Sequence, residues 1–484
     1  MKFHTCLLLG LILIQQIFAT LGCEDEFQLP NCICQPQRTD YTEIKNIKCP
    51  NFDIEINMHS NSIKFTCINN TRFTDFKDYI NFHKYYRTDF KMEKVYLINC
   101  NINRTMNLRK VNRLNIEEAD YLQLTIRSEN KNLTLSKFNK LRELEKLYEL
   151  IISSSGNVTI QQKTLDDIPT LRLIQIKNNR NVNLEKLSNE NVVGLFIHKN
   201  KNLNLSSNSL TGLTNLEQLR IVNNNLTSLP DNFLLNINYL QILDLSDNML
   251  TQLSEKSFQQ LRSLKQIYLH NNQIEQISPN FFNNYTNLMF INFENNNLTS
   301  LPDGLFSDSK KLNYINFSHN KLTQLSEMIF GVLENVRKIY LRYNQITKIS
   351  RDFFRNWKKV NLIDLQHNNL TSLPYDLFTG LDNLQSISLN NNFLMHLTDK
   401  SFGVLGNMRT ITFWNNKITT VSKDLFRDWK NLSFIDFGHN CLETLPENLF
   451  TDLNDIKMLD LKNNLLRTPG EGKNYDVNRY SQCL

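Results

Sequence analysis

Leu240-Gln241-Ile242-Leu243-Asp244-Leu245-Ser246-Asp247-Asn248-Met249-Leu250 is one instance of a pattern that governs most of this chain. Its skeleton, L-x-x-L-x-L-x-x-N-x-L, recurs for example at Leu288, Ile291, Phe293, Asn296 and Leu298. From Leu216 onward the period is 24 residues. Asparagine stands at 224, 248, 272, 296, 320, 344, 368, 392, 416, 440 and 464, eleven times without a gap. Phenylalanine keeps the same period at Phe258, Phe282, Phe306, Phe330, Phe354, Phe378, Phe402, Phe426 and Phe450. Chance does not hold two residue types in phase over such a length, and a period of this size denotes stacked structural units.

Each column has a physical task. The L-x-L segment is a short strand whose alternation turns the leucines inward and the x residues outward. Strands of successive repeats then pair in parallel. The asparagine amide both donates and accepts, so at a buried turn it can satisfy backbone groups that have left the sheet. The phenylalanines form a spine on the opposite side. The expected fold is an α/β-type solenoid: a leucine-rich repeat horseshoe with a parallel β-sheet on its concave face and an irregular or 3-10 convex side. Its stability comes from neighbouring repeats, because none buries its apolar face alone.

Before residue 213 the motif is present but irregular, as in Leu147, Leu150, Ile152, Ser155, Val158 and Ile160. Further back, Met92, Val95, Leu97, Cys100 and Ile102 place a cysteine in the asparagine column. A longer period of 72 residues overlies the first, in Pro230, Pro302, Pro374 and Pro446. Every third repeat is therefore alike, as duplication of three-repeat blocks would leave it. The reading divides the chain into a signal peptide (1–22), a cysteine-rich N-terminal cap (23–91), irregular repeats (92–212), regular repeats (213–470) and a tail (471–484).

The ends and the composition set the compartment. Lys2 and His4 precede an apolar run from Leu7 to Phe18, with small residues near Gly22, the pattern of a secretory signal peptide. The run is too short to span a bilayer, which takes about 20 residues. Export fits Cys23, Cys32, Cys34, Cys49, Cys67, Cys100, Cys441 and Cys483 as candidate disulfide cysteines, the first five crowded into a cap. We expect two bridges among Cys23, Cys32, Cys34 and Cys49 and one between Cys67 and Cys100. Export also makes eleven N-x-[ST] triplets candidate glycan acceptors: Asn69, Asn103, Asn132, Asn157, Asn204, Asn225, Asn284, Asn297, Asn316, Asn369 and Asn431. With 54 Lys+Arg against 48 Asp+Glu there is no concentrated basic block, so no nucleic acid partner is expected.

No reaction centre emerges. His319, His367 and His439 each precede a ladder asparagine, but residues two repeats apart lie roughly 10 Å apart, too far to share one zinc ion. Asp436 and Asp460 fall on equivalent positions of adjacent strands, without a cleft or a cause for a raised pKa. No P-loop, G-x-S-x-G or H-E-x-x-H is present. The expectation is no enzyme, no cofactor and no metal. The outward positions are unusual instead: Tyr268, His270, Phe290, Tyr314, Tyr340, Arg342, Tyr343, Trp414 and Phe434 are residue types enriched at protein–protein hot spots. From Tyr268 to Tyr343 they cover four neighbouring strands. A glycan on Asn316 would obstruct part of that patch.

The N-terminal segment is the most specific part. Cys32-Ile33-Cys34, Cys49-Pro50 and Phe65-Thr66-Cys67, followed by Val95-Tyr96-Leu97-Ile98-Asn99-Cys100, resembles the cap and first repeat of insect-type Toll receptor ectodomains. The resemblance implies an extracellular, ligand-binding role in immune or developmental signalling. It implies a cystine-knot cytokine partner of the Spätzle kind, bound largely through the cap and the repeats up to about residue 212. It also implies a cysteine-rich C-terminal cap, a membrane span and a TIR domain, none of which follows Asn464 in this sequence. A soluble Toll-like protein, a truncated receptor and an incomplete gene model all fit. Cys441 and Cys483 leave open a bridge to each other or to another chain, and the uncapped end leaves room for self-association or a co-receptor. A secreted matrix or adhesion protein with leucine-rich repeats is the alternative.

Overall fold

The computed structural model describes residues 33–39, 42–49, 54–59, 62–67, 93–99, 122–128, 132–136, 141, 144, 146–166, 168–259 and 261–466. The chain divides into two compact units, one of residues 1–226 with 230–238, the other of residues 227–229 with 239–484.

The first unit opens with antiparallel pairing. Ile33–Thr39 pairs with Thr42–Cys49, which pairs with Ile54–His59, which pairs with Ser62–Cys67. The direction then changes. Ser62–Cys67 runs parallel to Lys94–Ile98, and Leu122–Ser128, Leu147–Ser154, Leu173–Lys177, Gly194–His198 and Gln218–Val222 follow in parallel. The side chains carrying the expected N-terminal bridges lie outside the described residues, as do Asn69 and Asn103. A second parallel sheet, of Leu133–Leu135, Asn157–Ile160, Asn181–Leu184 and Asn202–Asn204, has no counterpart in the sequence reading. Its edge is held by amide contacts, Asn181 Nδ2 donating to Asn157 Oδ1 at 2.6 Å and Asn202 Nδ2 to Asn181 Oδ1 at 2.7 Å.

The second unit is the regular solenoid. Ten strands of three residues, from Ile242–Asp244 to Met458–Asp460, pair in parallel. Among the described residues its helices are two single turns, Glu255–Phe258 and Asp399–Phe402. The middle residue of each strand points inward, and Ile267, Ile291, Ile315, Ile339, Ile363, Ile387, Ile411 and Ile435 are wholly buried. The asparagine ladder works as its chemistry requires. Asn344 Oδ1 accepts from the Leu322 amide at 3.0 Å, and its Nδ2 donates to the Phe317 and Leu341 carbonyls at 2.9 and 3.0 Å. The same three bonds recur at Asn296, Asn320, Asn368, Asn392, Asn416 and Asn440. Opposite the sheet, the phenylalanine spine is stacked: Phe282 on Phe306 at 4.9 Å, Phe306 on Phe330 at 5.2 Å, Phe378 on Phe402 at 5.3 Å.

Strand termination has its own device. The outward residue closing a strand is often Asn or Asp, and its side-chain oxygen accepts the amide two residues on. Asn292 takes Glu294 N at 2.9 Å, Asn316 takes Ser318 N at 2.9 Å and Asp364 takes Gln366 N at 3.2 Å. These Asx turns supply a partner where the ladder stops. Asp436 and Asp460 do the same for Gly438 and Lys462, each at 2.8 Å. The expectation of no cause for a raised pKa is corrected at Asp436, whose carboxyl is raised above its usual range by burial, with Asp460 adding to it.

Candidate functional site: the aromatic ridge of the sheet

The strands of the second unit lie in exact-length repeats, so the register aligns Gln266, Phe290, Tyr314 and Lys338 in one row and Tyr268, Asn292, Asn316 and Tyr340 in the next. Four rings from these rows join. Tyr268 meets Phe290 at 4.7 Å, Phe290 stacks on Tyr314 at 4.3 Å, and Tyr314 meets Tyr340 at 5.3 Å. The path crosses between rows because Asn292 and Asn316 are short and folded back into their Asx turns, so the rings lean across them. Offset and tilted ring contacts at these separations are favourable beyond the area that they bury. All four residues remain half-exposed.

A charged pair flanks the ridge. Arg342 Nη2 reaches Glu294 Oε1 at 3.2 Å, two repeats away, across the fully buried Ser318. The other Glu294 oxygen accepts from Asn316 Nδ2 at 3.0 Å. Asn316 is thereby 5% exposed, and its amide nitrogen faces Glu294 rather than solvent. A glycan on Asn316 would have to displace that amide from Glu294. Burial pushes the Tyr314 hydroxyl up to about 12, with Tyr340 and Glu294 adding and Arg342 opposing. Tyr340 rises for the same first cause, then Asp364. Both hydroxyls stay protonated at neutral pH and can donate.

The remaining candidates separate. His270 and Arg342 lie two residues beyond their strands, in the row of Glu294, and His270 meets Tyr268 edge-on at 6.3 Å. Trp414 lies in that same row three repeats further on, against His439 at 5.2 Å. Gly438 makes room for it, since a Cβ there would sit 3.0 Å from the indole Cδ1. Phe434 is on the last pair of strands, aligned with Met458, away from the ridge.

Tyr343 corrects the reading most. It is not on a strand face but in a turn with φ 54°, a column shared by Asp247, Asn271, Asn295, His319, His367, Asn391, Asn415, His439 and Asn463. Asn and Asp tolerate this left-handed backbone, with His also enriched, whereas a bulky ring there is unusual. Tyr343 is sandwiched between the imidazoles of His319 at 4.3 Å and His367 at 4.0 Å. Elsewhere the column is an amide rail: Asn271 donates to Asp247 at 2.7 Å, Asn295 to Asn271 at 2.9 Å, and Asn415 to Asn391 at 2.7 Å. The periodic Asn/Asp/His just before each ladder asparagine was the signal for it.

Because Asn391 Oδ1 accepts from Asn415, its Nδ2 is the group facing His367 Nε2, at 3.0 Å, and the imidazole must accept. Protonation removes that acceptor. Burial holds the His367 pKa below its usual value, with His319 lowering it further against Asp364, and His198 in the first unit is likewise depressed by burial, Lys177 and Lys199. A histidine depressed on folding contributes its full stability above the unfolded value near 6.5 and loses it as pH falls from there through the lower folded value. The melting temperature is therefore expected to drop between pH 7.5 and pH 5. His367→Asn, which suits the turn and cannot titrate, should lessen that drop; an unchanged pH slope would contradict the account.

Among the described residues no group of three or more His, Cys, Asp or Glu side chains is placed to hold a metal ion. Cys441 is 4% exposed and disulfide-bonded.

The leucine rich repeat family pattern matches residues 214–274, 262–322, 286–346, 334–394 and 406–466. No curated protein matches the sequence. Among solved structures, Toll in the Drosophila Toll–Spätzle complex is similar at 22% identity with a TM-score of 0.64, over 90% of this chain and 58% of that one. A leucine-rich repeat protein of Leptospira interrogans is similar at 24% identity with a TM-score of 0.57, over 78% of this chain and 86% of that one. A TLR13–ssRNA13 complex is similar at 19% identity with a TM-score of 0.52, over 77% and 61%. At these identities the likeness is one of fold. The matched repeats span half of the chain, and the chain belongs to the leucine-rich repeat family.

Proposed function

We propose that this chain works outside the cell as a protein-binding module of the Toll ectodomain kind, capturing a compact protein ligand such as a cystine-knot cytokine. The observation that carries the reading is the ridge Tyr268–Phe290–Tyr314–Tyr340. Its rings hold each other in place before any ligand arrives, so little ordering entropy remains to be lost on binding. Aromatic anchors beside an Arg are the usual centre of a protein hot spot. Phe290 and Tyr314 are stacked face to face and flanked by the tilted rings of Tyr268 and Tyr340, so the centre of the ridge offers little ring face to nucleobases and suits apolar side chains of a protein better.

The face of the first unit offers less of this. Gln123 and Gln175 both donate to Glu149, and Arg220 lies over Phe196 at 5.6 Å, so its outward groups are largely engaged with one another. The anchor for a ligand is thus assigned to the second unit, although the resemblance to Toll would put it in the first.

The test is surface plasmon resonance of the full chain against a recombinant Spätzle-type cytokine, with triple-helical collagen in parallel. Tyr314→Ala should weaken cytokine binding roughly 30-fold, about 2 kcal/mol, as hot-spot truncations do. Tyr375→Ala, 60% exposed and off the sheet face, should leave it unchanged. Collagen binding without cytokine binding would favour the matrix role, and cytokine binding untouched by Tyr314→Ala would move the contact to the first unit. Recovery of the processed, glycosylated chain from culture medium tests the placement outside the cell.

A further inference from the structure

One edge of the same sheet carries a concentration of positive charge that neither the ridge nor the repeat scaffold uses. Lys310 and Lys311 precede the strand Tyr314–Asn316, Arg337 and Lys338 open the strand Lys338–Tyr340, and Lys358 and Lys359 precede Leu362–Asp364. All six side chains are exposed and belong to three consecutive repeats. Parallel strands about 4.8 Å apart place them within a strip roughly 10 Å along the solenoid. That is close to the Debye length of about 8 Å at physiological salt, so they act as one field rather than as six separate charges.

Among the described residues no ion pair neutralises this strip. The ion pairs among the described residues are Arg342–Glu294, Arg351–Asp376, Arg355–Asp352 and Arg427–Asp424, and none involves the six. The hydrogen bonds of their lysines go to neutral acceptors: Lys311 Nζ donates to Asn287 Oδ1 and Lys359 Nζ to Asn335 Oδ1, both at 2.7 Å, and Lys358 Nζ to the Gly380 carbonyl at 3.3 Å. Two acidic residues share these columns, Glu334 between Lys310 and Lys358 and Asp382 one repeat beyond Lys358, and they leave a positive excess. Holding six like charges together costs free energy through self-repulsion, which an external polyanion relieves by displacing condensed counterions.

We infer that this strip binds a sulfated polysaccharide. The choice of polyanion follows from what lies beside the charges. None of the six residues is aromatic, and the central rings of the neighbouring ridge, Phe290 and Tyr314, are already stacked on each other, so nucleobases would find a poor stacking platform. A linear chain of sulfated sugars needs only charge at a regular spacing, which successive repeats provide. The occupant rests on the extracellular placement proposed above, because that is where such polymers are met. Bound there, it would hold the protein at a matrix or cell surface with the ridge still free for its ligand.

The experiment is heparin binding by the full chain as a function of NaCl concentration. The variant Lys310→Gln/Lys311→Gln/Lys358→Gln/Lys359→Gln should weaken binding at physiological salt at least tenfold. It should also flatten the slope of log Kd against log salt by roughly 3, a little under one per lost contact. The control Lys321→Gln/Lys348→Gln/Lys400→Gln/Lys423→Gln changes net charge equally at exposed sites outside the strip and should bind as the parent does; matching melting curves establish that both variants fold. Equal loss in both variants, or loss in neither, overturns the site. Tighter binding of single-stranded RNA than of heparin at physiological salt overturns the occupant. Retention of the chain inside the cell would remove the extracellular reading without altering the heparin result, and absence of heparin binding would do the reverse.

Discussion

Asn344→Ala is expected to destabilise the second unit by about 3 kcal/mol. The residue is 7% exposed and its side chain serves three backbone groups, the Leu322 amide and the Phe317 and Leu341 carbonyls. Truncation leaves the Leu322 amide buried without a partner, at a cost of about 1–3 kcal/mol, and takes one of two donors from each carbonyl, since Phe317 O keeps Asn320 Nδ2 and Leu341 O keeps Asn368 Nδ2. Alanine also leaves too little room for several waters to replace the amide. Asn344→Asp keeps the acceptor for Leu322 but loses both donors and sets a carboxylate against two carbonyls, so it should be no better tolerated. Asn335→Ala is the comparison. That amide also bonds a backbone carbonyl, Lys310 O at 2.9 Å, but at the surface, where water substitutes, and its loss should cost less than about 1 kcal/mol. Urea unfolding followed by circular dichroism measures all three. A cost below 1 kcal/mol for Asn344→Ala would mean that the ladder is decoration rather than the joint between repeats.

The ladder was legible because its chemistry admits few residue types, so the sequence repeats it in register. The spine was legible for the same reason: Phe306 and Phe330 can stack only if each repeat delivers a ring to the same depth. The ridge was legible only in part. Outward residues are free to vary, and which of them touch depends on side-chain lean, as when Tyr268 passes over Asn292, its register partner, to reach Phe290. Tyr343 was misplaced because a strand of three residues is shorter than the motif suggests, so a position counted as outward falls in the following turn. The burial of Asn316 was beyond a triplet motif, which says nothing of the Glu294 that captures its amide. The antiparallel strands of residues 33–67 carry no repeat and so announced themselves only as a cysteine-rich segment.

The spine gives the second large effect, and it differs in kind from the first. Phe330 is 1% exposed, stacked on Phe306 at 5.2 Å and met edge-on by Trp357 at 5.3 Å and Phe353 at 5.6 Å. Phe330→Ala removes those contacts and leaves a cavity, an expected cost of about 3–5 kcal/mol. Phe330→Leu refills much of the volume and should cost about 1–2 kcal/mol. In a globular core such a loss is shared by the whole domain. In a solenoid each repeat touches only its neighbours, so the loss falls on one junction and weakens the coupling across it. Hydrogen exchange should therefore show early loss of protection at the amides of Ile315 and Ile339, on the strands nearest the cavity, while Ile435, four repeats further on, keeps its protection. Unfolding of the variant should then depart from a single transition, with a first step confined to the repeats around residue 330. Uniform loss of protection across all ten strands would instead require that the second unit unfolds as one block, with cooperativity reaching well beyond nearest neighbours.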